Sequence, residues 1–204
     1  MCAPMPEQPF VPSFVVGLPL ARDALAFADE LHRGQRRSSD EAPFILHPLE
    51  VAALLQITGH SEAAVAAGIL HDTVEDTPVE IGAIEQRFGG RVAALVAAMT
   101  EDPRIDAYQE RKAALRRQIA AFGEEATAIY AADKVAKVRE LRAQAGRDPD
   151  LLGGQDEDVR RRLEHYVESL AMLEEETASH PLVQQLRFEL EALRALPPRA
   201  SSPV

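Results

Sequence analysis

The feature that most constrains this chain is an apolar run over residues 63–70 that ends directly in His71-Asp72-Thr73-Val74-Glu75-Asp76. The run has the composition of a buried helix, so the side chains that follow it are carried to the helix's inner end. On a helix, His71 and Glu75 lie one turn apart on one face, as do Asp72 and Asp76. Ionisable groups in such a place are costly unless a metal or a substrate compensates them. The hexapeptide therefore predicts a functional site rather than a solvated acidic helix end.

Two further side chains are candidate metal ligands. His47 follows the apolar trio at 44–46 and opens a predicted helix, where it is either a ligand or an N-terminal cap. Asp133 lies in the middle of a predicted helix, on an apolar stripe where aspartate is unfavourable. It is either a ligand or the partner of Lys137 in a buried ion pair.

Together these residues predict a site for one divalent ion. Two imidazoles and two carboxylates, from His47, His71, Asp72 and Asp133, form a mixed nitrogen and oxygen set that suits Mn²⁺, Fe²⁺ or Zn²⁺ better than Mg²⁺ or Ca²⁺. Glu75 and Asp76 stand just beyond the ligands on the chain, where they could orient or deprotonate a water molecule. This combination fits hydrolysis of a phosphoester.

Composition bounds the class of protein. A chain of 204 residues with 46% hydrophobic residues is most simply one domain. Its formal charge of −11 argues against nucleic acid as the main partner, while leaving room for a small anionic ligand. The single cysteine, Cys2, suits a reducing cytoplasm. No apolar run reaches the roughly 18 residues of a membrane span, and no secretory signal opens the chain, so no membrane partner is expected. The oligomeric state cannot be read from these features.

The fold class is predicted as all-α, a bundle of about eight or nine helices. Residues 1–18, with four prolines, are interpreted as an extended arm, residues 19–196 as a single domain and residues 197–204 as a tail. A capping-box pattern over 77–80 predicts that a short helix starts just after Asp76. His60, His165 and His180 are interpreted as surface or cap residues. The predicted helices cover 20–32, 47–58, the segment from the Ser61 cap into the hexapeptide, the segment after Asp76, 92–99, 104–122, 124–142, 156–177 and 182–196.

Five segments carry a resemblance to a known family, over roughly residues 20–142. They read HRGQRR at 32–37, PFILHPLEVA at 43–52, AAGILHDTVEDT at 66–77, FG at 88–89 and ADK at 132–134. In this order and spacing they resemble the HD-domain superfamily of metal-dependent phosphohydrolases. More closely, the chain is similar to the hydrolase domain of RelA/SpoT proteins and to the stand-alone small alarmone hydrolases, including the metazoan SpoT homologs.

The resemblance implies an HD-domain helical bundle and a definite reaction. The family removes the 3′-pyrophosphate from the alarmones ppGpp and pppGpp, leaving GDP or GTP, and usually holds Mn²⁺. It implies catalytic roles for Glu75 and Asp76, and metal binding by His47, His71, Asp72 and Asp133. Arg37 matches a family arginine near the nucleotide. Tyr166 matches a nucleotide-contacting tyrosine in position, although it could also be a tyrosine packed between helices.

The chain departs from the family's pattern in the residues that read the nucleotide. Lys137 replaces an asparagine that contacts the nucleotide, and Ser38 replaces a basic residue. Lys137 lies four residues after Asp133 on the same helix face, so it is expected either to pair with a ligand carboxylate or to bind a substrate phosphate. The alternatives to alarmone hydrolysis are another phosphorylated nucleotide, such as NADPH losing its 2′-phosphate, and a catalytically quiet regulatory HD protein.

Overall fold

A computed structural model describes residues 12–148, 150–152 and 156–196, and most of these residues are helical. In this part of the chain nine α-helices have eight residues or more, and one further α-helix is a single turn, which confirms the predicted all-α class. In the described ranges the only β pairing is one isolated bridge between Arg36 and Pro43. The helices are α1 (Pro19–Leu31), α2 (Leu46–Ile57), α3 (Glu62–Leu70), α4 (Thr73–Asp76), α5 (Ile81–Phe88), α6 (Gly90–Met99), α7 (Tyr108–Phe122), α8 (Glu124–Arg147), α9 (Glu157–Thr177) and α10 (Pro181–Arg194).

Local capping chemistry sets several of these boundaries as predicted. The Ser61 hydroxyl accepts a hydrogen bond from the Ala64 amide at 3.2 Å and so caps α3. His180 caps α10 in the same way through its Nδ1, which accepts from the Leu182 amide at 3.2 Å. Helix α8 runs to Arg147, five residues beyond the predicted end.

The predicted capping box at 77–80 does not form, and α5 begins at Ile81 instead. The Thr77 hydroxyl donates to the Thr73 carbonyl at 2.7 Å, which closes the end of α4 rather than opening the next helix. Glu80, with extended backbone, becomes the N-cap residue of α5. Helix α7 also starts later than predicted, because the Asp102 carboxylate accepts from the Arg104 amide and holds a turn there.

Helix α3 lies at the centre of the bundle, with every residue from Ala64 to Leu70 buried. It packs against α1, α2, α6 and α8. Gly68 allows the close approach of α2, since a Cβ added there would lie 2.6 Å from the Leu55 Cδ1 atom. The packing brings the start of α2, the end of α3 and the middle of α8 together.

The predicted terminal segments fall largely outside the described residues. Residues 1–11 and 197–204 are not described, so the arm and the tail stay predictions. Within 12–18, Ser13–Val15 form a 3₁₀ turn, and Val15 is fully buried against the core. None of the helices in the described part of the chain is long and apolar enough to cross a membrane.

Candidate metal centre and adjoining pocket

The four predicted metal ligands meet in the interior. His47 lies in the first turn of α2, and its Nε2 is 3.3 Å from the Nε2 of His71, which follows α3. The Asp133 Oδ1 atom, from the middle of α8, is 3.1 Å from the His47 Nε2 and 3.5 Å from the His71 Nε2. Asp72 contacts both rings, at 3.4 Å from His47 and 3.1 Å from His71. His47, His71 and Asp133 offer ligand atoms that all lie within 4.8 Å of one another.

The donor chemistry of this cluster fits a cation. The His71 Nδ1 is 2.8 Å from the Gly68 carbonyl oxygen, which can only accept, so Nδ1 carries the proton. In the neutral ring, Nε2 then presents a lone pair to the other three side chains. Among the described residues, the buried Oδ1 of Asp133 has no partner of good hydrogen-bond geometry. Lone pairs that converge in a buried site need a positive charge between them, and a divalent ion with mixed nitrogen and oxygen ligands supplies it.

Two lysines on α8 hold the Asp133 carboxylate. The Lys134 Nζ donates to Oδ2 at 2.6 Å and lies 4.5 Å from the centre of the Tyr130 ring. The Lys137 Nζ lies 3.0 Å from Oδ1 and 4.0 Å from the Asp72 Oδ1. The ion pair between Asp133 and Lys137 that the sequence left open is therefore formed, alongside the contacts of Asp133 with both histidines.

The electrostatics of the cluster keep the carboxylates ionised. Burial alone would raise the pKa of Asp133, but the charges of Lys134 and Lys137 outweigh it and hold the pKa well below its ordinary value. Burial alone would lower the pKa of His71, but the carboxylates of Asp72 and Asp133 raise it to about 10. The site thus attracts positive charge, whether as a proton, an ammonium group or a metal ion.

The helix is interrupted within the hexapeptide, since α3 ends at Leu70 and α4 begins at Thr73. The buried Thr73 hydroxyl donates to the Leu70 carbonyl at 2.6 Å and closes α3 one residue before the predicted ligands. The next turn stays helical, with the Asp76 amide donating to the Asp72 carbonyl at 2.9 Å. The predicted spacing of Asp72 and Asp76 therefore survives the break.

Glu75 and Asp76 lie on α4 at the edge of the cluster. The Glu75 Oε1 accepts a hydrogen bond from the Glu101 amide at 2.6 Å. The Asp76 carbonyl accepts from the Gln35 Nε2 at 3.0 Å, which ties α4 to the loop after α1. Burial by the surrounding protein and the nearby Asp72 charge raise the pKa of both carboxyls, which suits groups that take up a proton. Their catalytic role stays a prediction.

A cavity of about 760 Å³ opens beside His47. Its wall carries seven basic side chains and three acidic ones, an excess of positive charge in a chain whose formal net charge is −11. This local excess favours an anionic ligand. The lining residues are Arg36, Arg37, Ser38, Phe44, His47, Tyr108, Lys112, Lys134, Lys137, Glu140, Leu141, Gln144, Asp156, Asp158, Arg161, Arg162, His165 and Tyr166.

All three predicted substrate-binding residues line this cavity. The Arg37 Nε donates to the Asp40 Oδ1 at 3.1 Å. Tyr166 is buried between helices and also forms part of the cavity wall. Lys137, from α8, lies between the cavity and the carboxylates. The structure brings the three residues to one place, and contact with a nucleotide stays a prediction for each.

Sequence reasoning missed the basic side chains that α7 and α9 supply to the wall. Lys112, Arg161 and Arg162 line the cavity, and the run of three arginines at 160–162 in an acidic chain was the available signal. The interpretation of His165 as a surface or cap residue was wrong. It is buried in the contact between α7 and α9, where its Nδ1 lies 2.9 Å from the Arg116 Nη1.

The chain is similar to several known proteins. The model of the family described as HD domain matches residues 24–171. A probable guanosine-3′,5′-bis(diphosphate) 3′-pyrophosphohydrolase of Synechocystis sp. is 51% identical over 78 residues, covering 38% of this chain and 10% of that protein. A GTP pyrophosphokinase of Brucella melitensis is 32% identical over 180 residues, covering 85% of this chain and 22% of that protein. The chain thus spans less than a quarter of the length of these curated relatives.

Two solved structures are similar over most of their length. One, described as a metazoan ortholog of SpoT that hydrolyzes ppGpp, has a TM-score of 0.68 and 26% identity, covering 90% of this chain and 96% of that one. The other, from Listeria monocytogenes, has a TM-score of 0.65 and 27% identity, covering 74% of this chain and 97% of that one. The family match covers more than half of the chain and contains all four candidate ligands. The chain therefore belongs to the HD-domain family.

Proposed function

We propose that this protein is a Mn²⁺-dependent hydrolase that removes the 3′-pyrophosphate from ppGpp and pppGpp, leaving GDP or GTP. The observation that carries the proposal is the buried His47, His71 and Asp133 cluster opening beside a cavity lined by seven basic side chains. The reaction named for the Synechocystis relative and for the metazoan SpoT ortholog supports the same substrate.

The metal would be held by His47, His71, Asp72 and Asp133. Once bound, a divalent ion supplies Lewis-acid chemistry to the phosphoryl group and to the attacking water. The mixed ligand set favours Mn²⁺, with Fe²⁺ and Zn²⁺ as the other ions of suitable chemistry. Lys134 fixes the Asp133 carboxylate by binding Oδ2, so that Oδ1 remains directed to the two histidines.

Glu75 and Asp76 would orient the attacking water and accept a proton from it. Water adds to the phosphorus attached to the 3′-oxygen, the bond from phosphorus to that oxygen breaks, and the oxygen takes up a proton as pyrophosphate is released. The Glu101 amide donates to one oxygen of Glu75, and the hydrogen bonds of the described residues leave its other oxygen available for a water molecule. Asp76 is anchored through its backbone by Gln35, so its carboxylate remains available.

The substrate's phosphates would lie along the basic wall of the cavity. Arg37 and Lys137 approach from the side of α1 and α8, and Arg161 and Arg162 approach from α9. A diphosphate carries several charges, and charge-assisted hydrogen bonds to such groups are the strong ones. Tyr166 and Phe44 offer aromatic faces in the same cavity for a base.

The direct test is turnover by the purified Mn²⁺-loaded chain on ppGpp, with nucleotide products separated by anion-exchange chromatography and pyrophosphate measured. Formation of GDP and pyrophosphate in equal amounts is expected, and Asp133→Asn should abolish it. Release of single phosphates, or no release, would overturn the proposed reaction.

NADPH belongs in the same assay, because Lys137 in place of the family's asparagine adds a cation where the nucleotide is read. Loss of its 2′-phosphate at a higher kcat/KM than ppGpp hydrolysis would favour the NADPH phosphatase alternative. Binding of both nucleotides without turnover would favour a quiet regulatory protein.

A further inference from the structure

Two lysines of α8 share the Asp133 carboxylate but occupy different environments. Lys134 is buried, with 5% of its side chain exposed, and its Nζ binds Oδ2 on the side away from the histidines. The Lys137 Nζ forms an ion pair with Oδ1 at 3.0 Å, and 35% of its side chain is exposed, although both lysines line the basic cavity. The first lysine is held in place by the protein, and the second can move into the cavity.

The ammonium group of Lys137 lies close to the carboxylate oxygens that would bind the metal. The Oδ1 of Asp133 is the oxygen that faces both histidines, and Lys137 Nζ is 3.0 Å from it. The same Nζ lies 4.0 Å from Oδ1 of Asp72. A cation coordinated by these oxygens would therefore lie within a few ångströms of the ammonium group. Like charges at such a distance repel each other strongly, because the protein screens them less than water does.

We propose that Lys137 is a resident cation that competes with the divalent ion for Asp133 and Asp72, and that metal binding displaces its ammonium group into the cavity, where it binds a phosphate oxygen. The inference rests on the proposed metal-dependent function of this site. A lysine suits this exchange, because its charge sits at the end of a flexible stem with three donors and no acceptor. The asparagine that the family usually carries there has no charge to exchange.

The exchange couples two binding events. The metal must displace Lys137 from its carboxylates, which weakens metal binding when no anion is present. An anion in the cavity gives the displaced ammonium group a new partner, which strengthens metal binding. Since coupling between two sites is reciprocal, the metal strengthens anion binding by the same factor.

The first test measures Mn²⁺ affinity by calorimetry on the metal-free full chain. Lys137→Met removes the charge at similar length, and Lys137→Asn restores the family's residue. One adjacent charge commonly changes the affinity of a carboxylate for a proton by a factor of ten or more, so both variants should bind Mn²⁺ about tenfold more tightly. Lys137→Arg, which keeps the charge, should resemble the parent.

The matched control is Arg161→Gln, which removes a positive charge from the same cavity at a residue that pairs with Asp158 rather than with a candidate ligand. Its Mn²⁺ affinity should change less than about threefold, since an exposed and more distant charge is screened. Equal Mn²⁺ affinity in the parent, Lys137→Met and Lys137→Asn would overturn the competition. A similar gain in Mn²⁺ affinity in Arg161→Gln would show that removing any positive charge from the cavity has this effect. That result would also overturn the competition by Lys137.

The second test measures the coupling with inorganic phosphate as the probe anion. Saturating phosphate should tighten Mn²⁺ binding in the parent and should do so distinctly less in Lys137→Met. Because phosphate itself binds Mn²⁺ weakly, the two proteins are measured side by side, so that this contribution is the same for both. An equal effect in both proteins would overturn the displacement into the cavity. Neither experiment involves turnover. Tighter Mn²⁺ binding in the variants of a chain that leaves ppGpp intact would reject the proposed substrate and keep the inference.

Discussion

His47 and His71, which are 24 residues apart in the chain, place their Nε2 atoms 3.3 Å from each other. The approach depends on the packing of α2 against α3, where Gly68 lets the two backbones come close. The His71 ring is oriented by its hydrogen bond to the Gly68 carbonyl. A single residue of α3 thus sets both the spacing of the helices and the orientation of a candidate ligand.

This geometry predicts one divalent ion per chain and its loss on removal of a ligand. His71→Ala and Asp133→Ala each leave an incomplete set of ligands, so metal should dissociate on dialysis. The parent should gain about 2.7 kcal/mol of stability at a free metal concentration one hundred times the Kd, and the variants should gain none. Elemental analysis and thermal unfolding with and without Mn²⁺ check this. Full occupancy in Asp133→Ala would remove that residue from the ligand set.

Glu75→Gln and Asp76→Asn are expected to keep the metal and lose most turnover. Each amide preserves the size of the side chain and its hydrogen bonding but cannot accept a proton from water. General acid and base help is typically worth about 10² to 10⁴ in rate, so kcat on ppGpp should fall by that factor in at least one variant. Near-normal turnover in both, at unchanged metal content, would show that neither carboxylate activates the water.

The sequence predicted the ligands because their chemistry is local. An aspartate in the middle of α8 and an acidic turn after an apolar helix are unfavourable unless something compensates them, so Asp133 and Asp72 stand out without any structure. The opposite wall of the cavity was not predictable in this way. Arg161 and His165 reach it only through the packing of α9 against α7 and α8, and arginine on a helix is ordinary by itself.

The break after α3 was equally hidden from periodicity. Residues 63–76 keep a helical pattern throughout, yet α3 ends at Leu70, where the Thr73 hydroxyl donates to the Leu70 carbonyl. The threonine hydroxyl bonds to backbone carbonyls in many helices that continue past it, so a threonine alone is a weak signal of a helix end. The spacing of Lys137 from Asp133 predicted either a ligand carboxylate or a substrate phosphate as its partner, and the structure shows the contact with the carboxylate.

Gly68→Ala should separate the ligands by forcing α2 and α3 apart. The added Cβ would lie 2.6 Å from the Leu55 Cδ1 and 3.3 Å from the Val51 Cγ1, and both side chains are fully buried. Overpacking of this kind costs about 1 to 3 kcal/mol, which the gain of about 1 kcal/mol in helix propensity offsets only in part. Urea unfolding should show a net loss of stability, and calorimetry should show weaker Mn²⁺ binding.

Gly146→Ala is the matched control, since α8 has nothing within 4 Å of a Cβ at that position. It should be neutral or stabilising by up to about 1 kcal/mol and should leave Mn²⁺ affinity unchanged. A Gly68→Ala protein as stable as Gly146→Ala, with unaltered metal affinity, would contradict the dependence of the site on this contact.

The last prediction concerns pH and a second pair of histidines, remote from the metal site. The His180 Nδ1 accepts from the Leu182 amide, so its Nε2 carries the proton and donates to the His60 Nε2 at 3.1 Å. Burial lowers the pKa of both rings below the ordinary 6.5. The unfolded chain therefore takes up protons first as pH falls. The contribution of the pair to the free energy of unfolding is complete above pH 6.5 and is lost below it.

In metal-free urea unfolding, the parent should lose more stability between pH 7.5 and 5.5 than His180→Asn, which keeps an N-cap acceptor but removes the pair. Parallel stability profiles for the two proteins over this range would show that the pair does not titrate with folding.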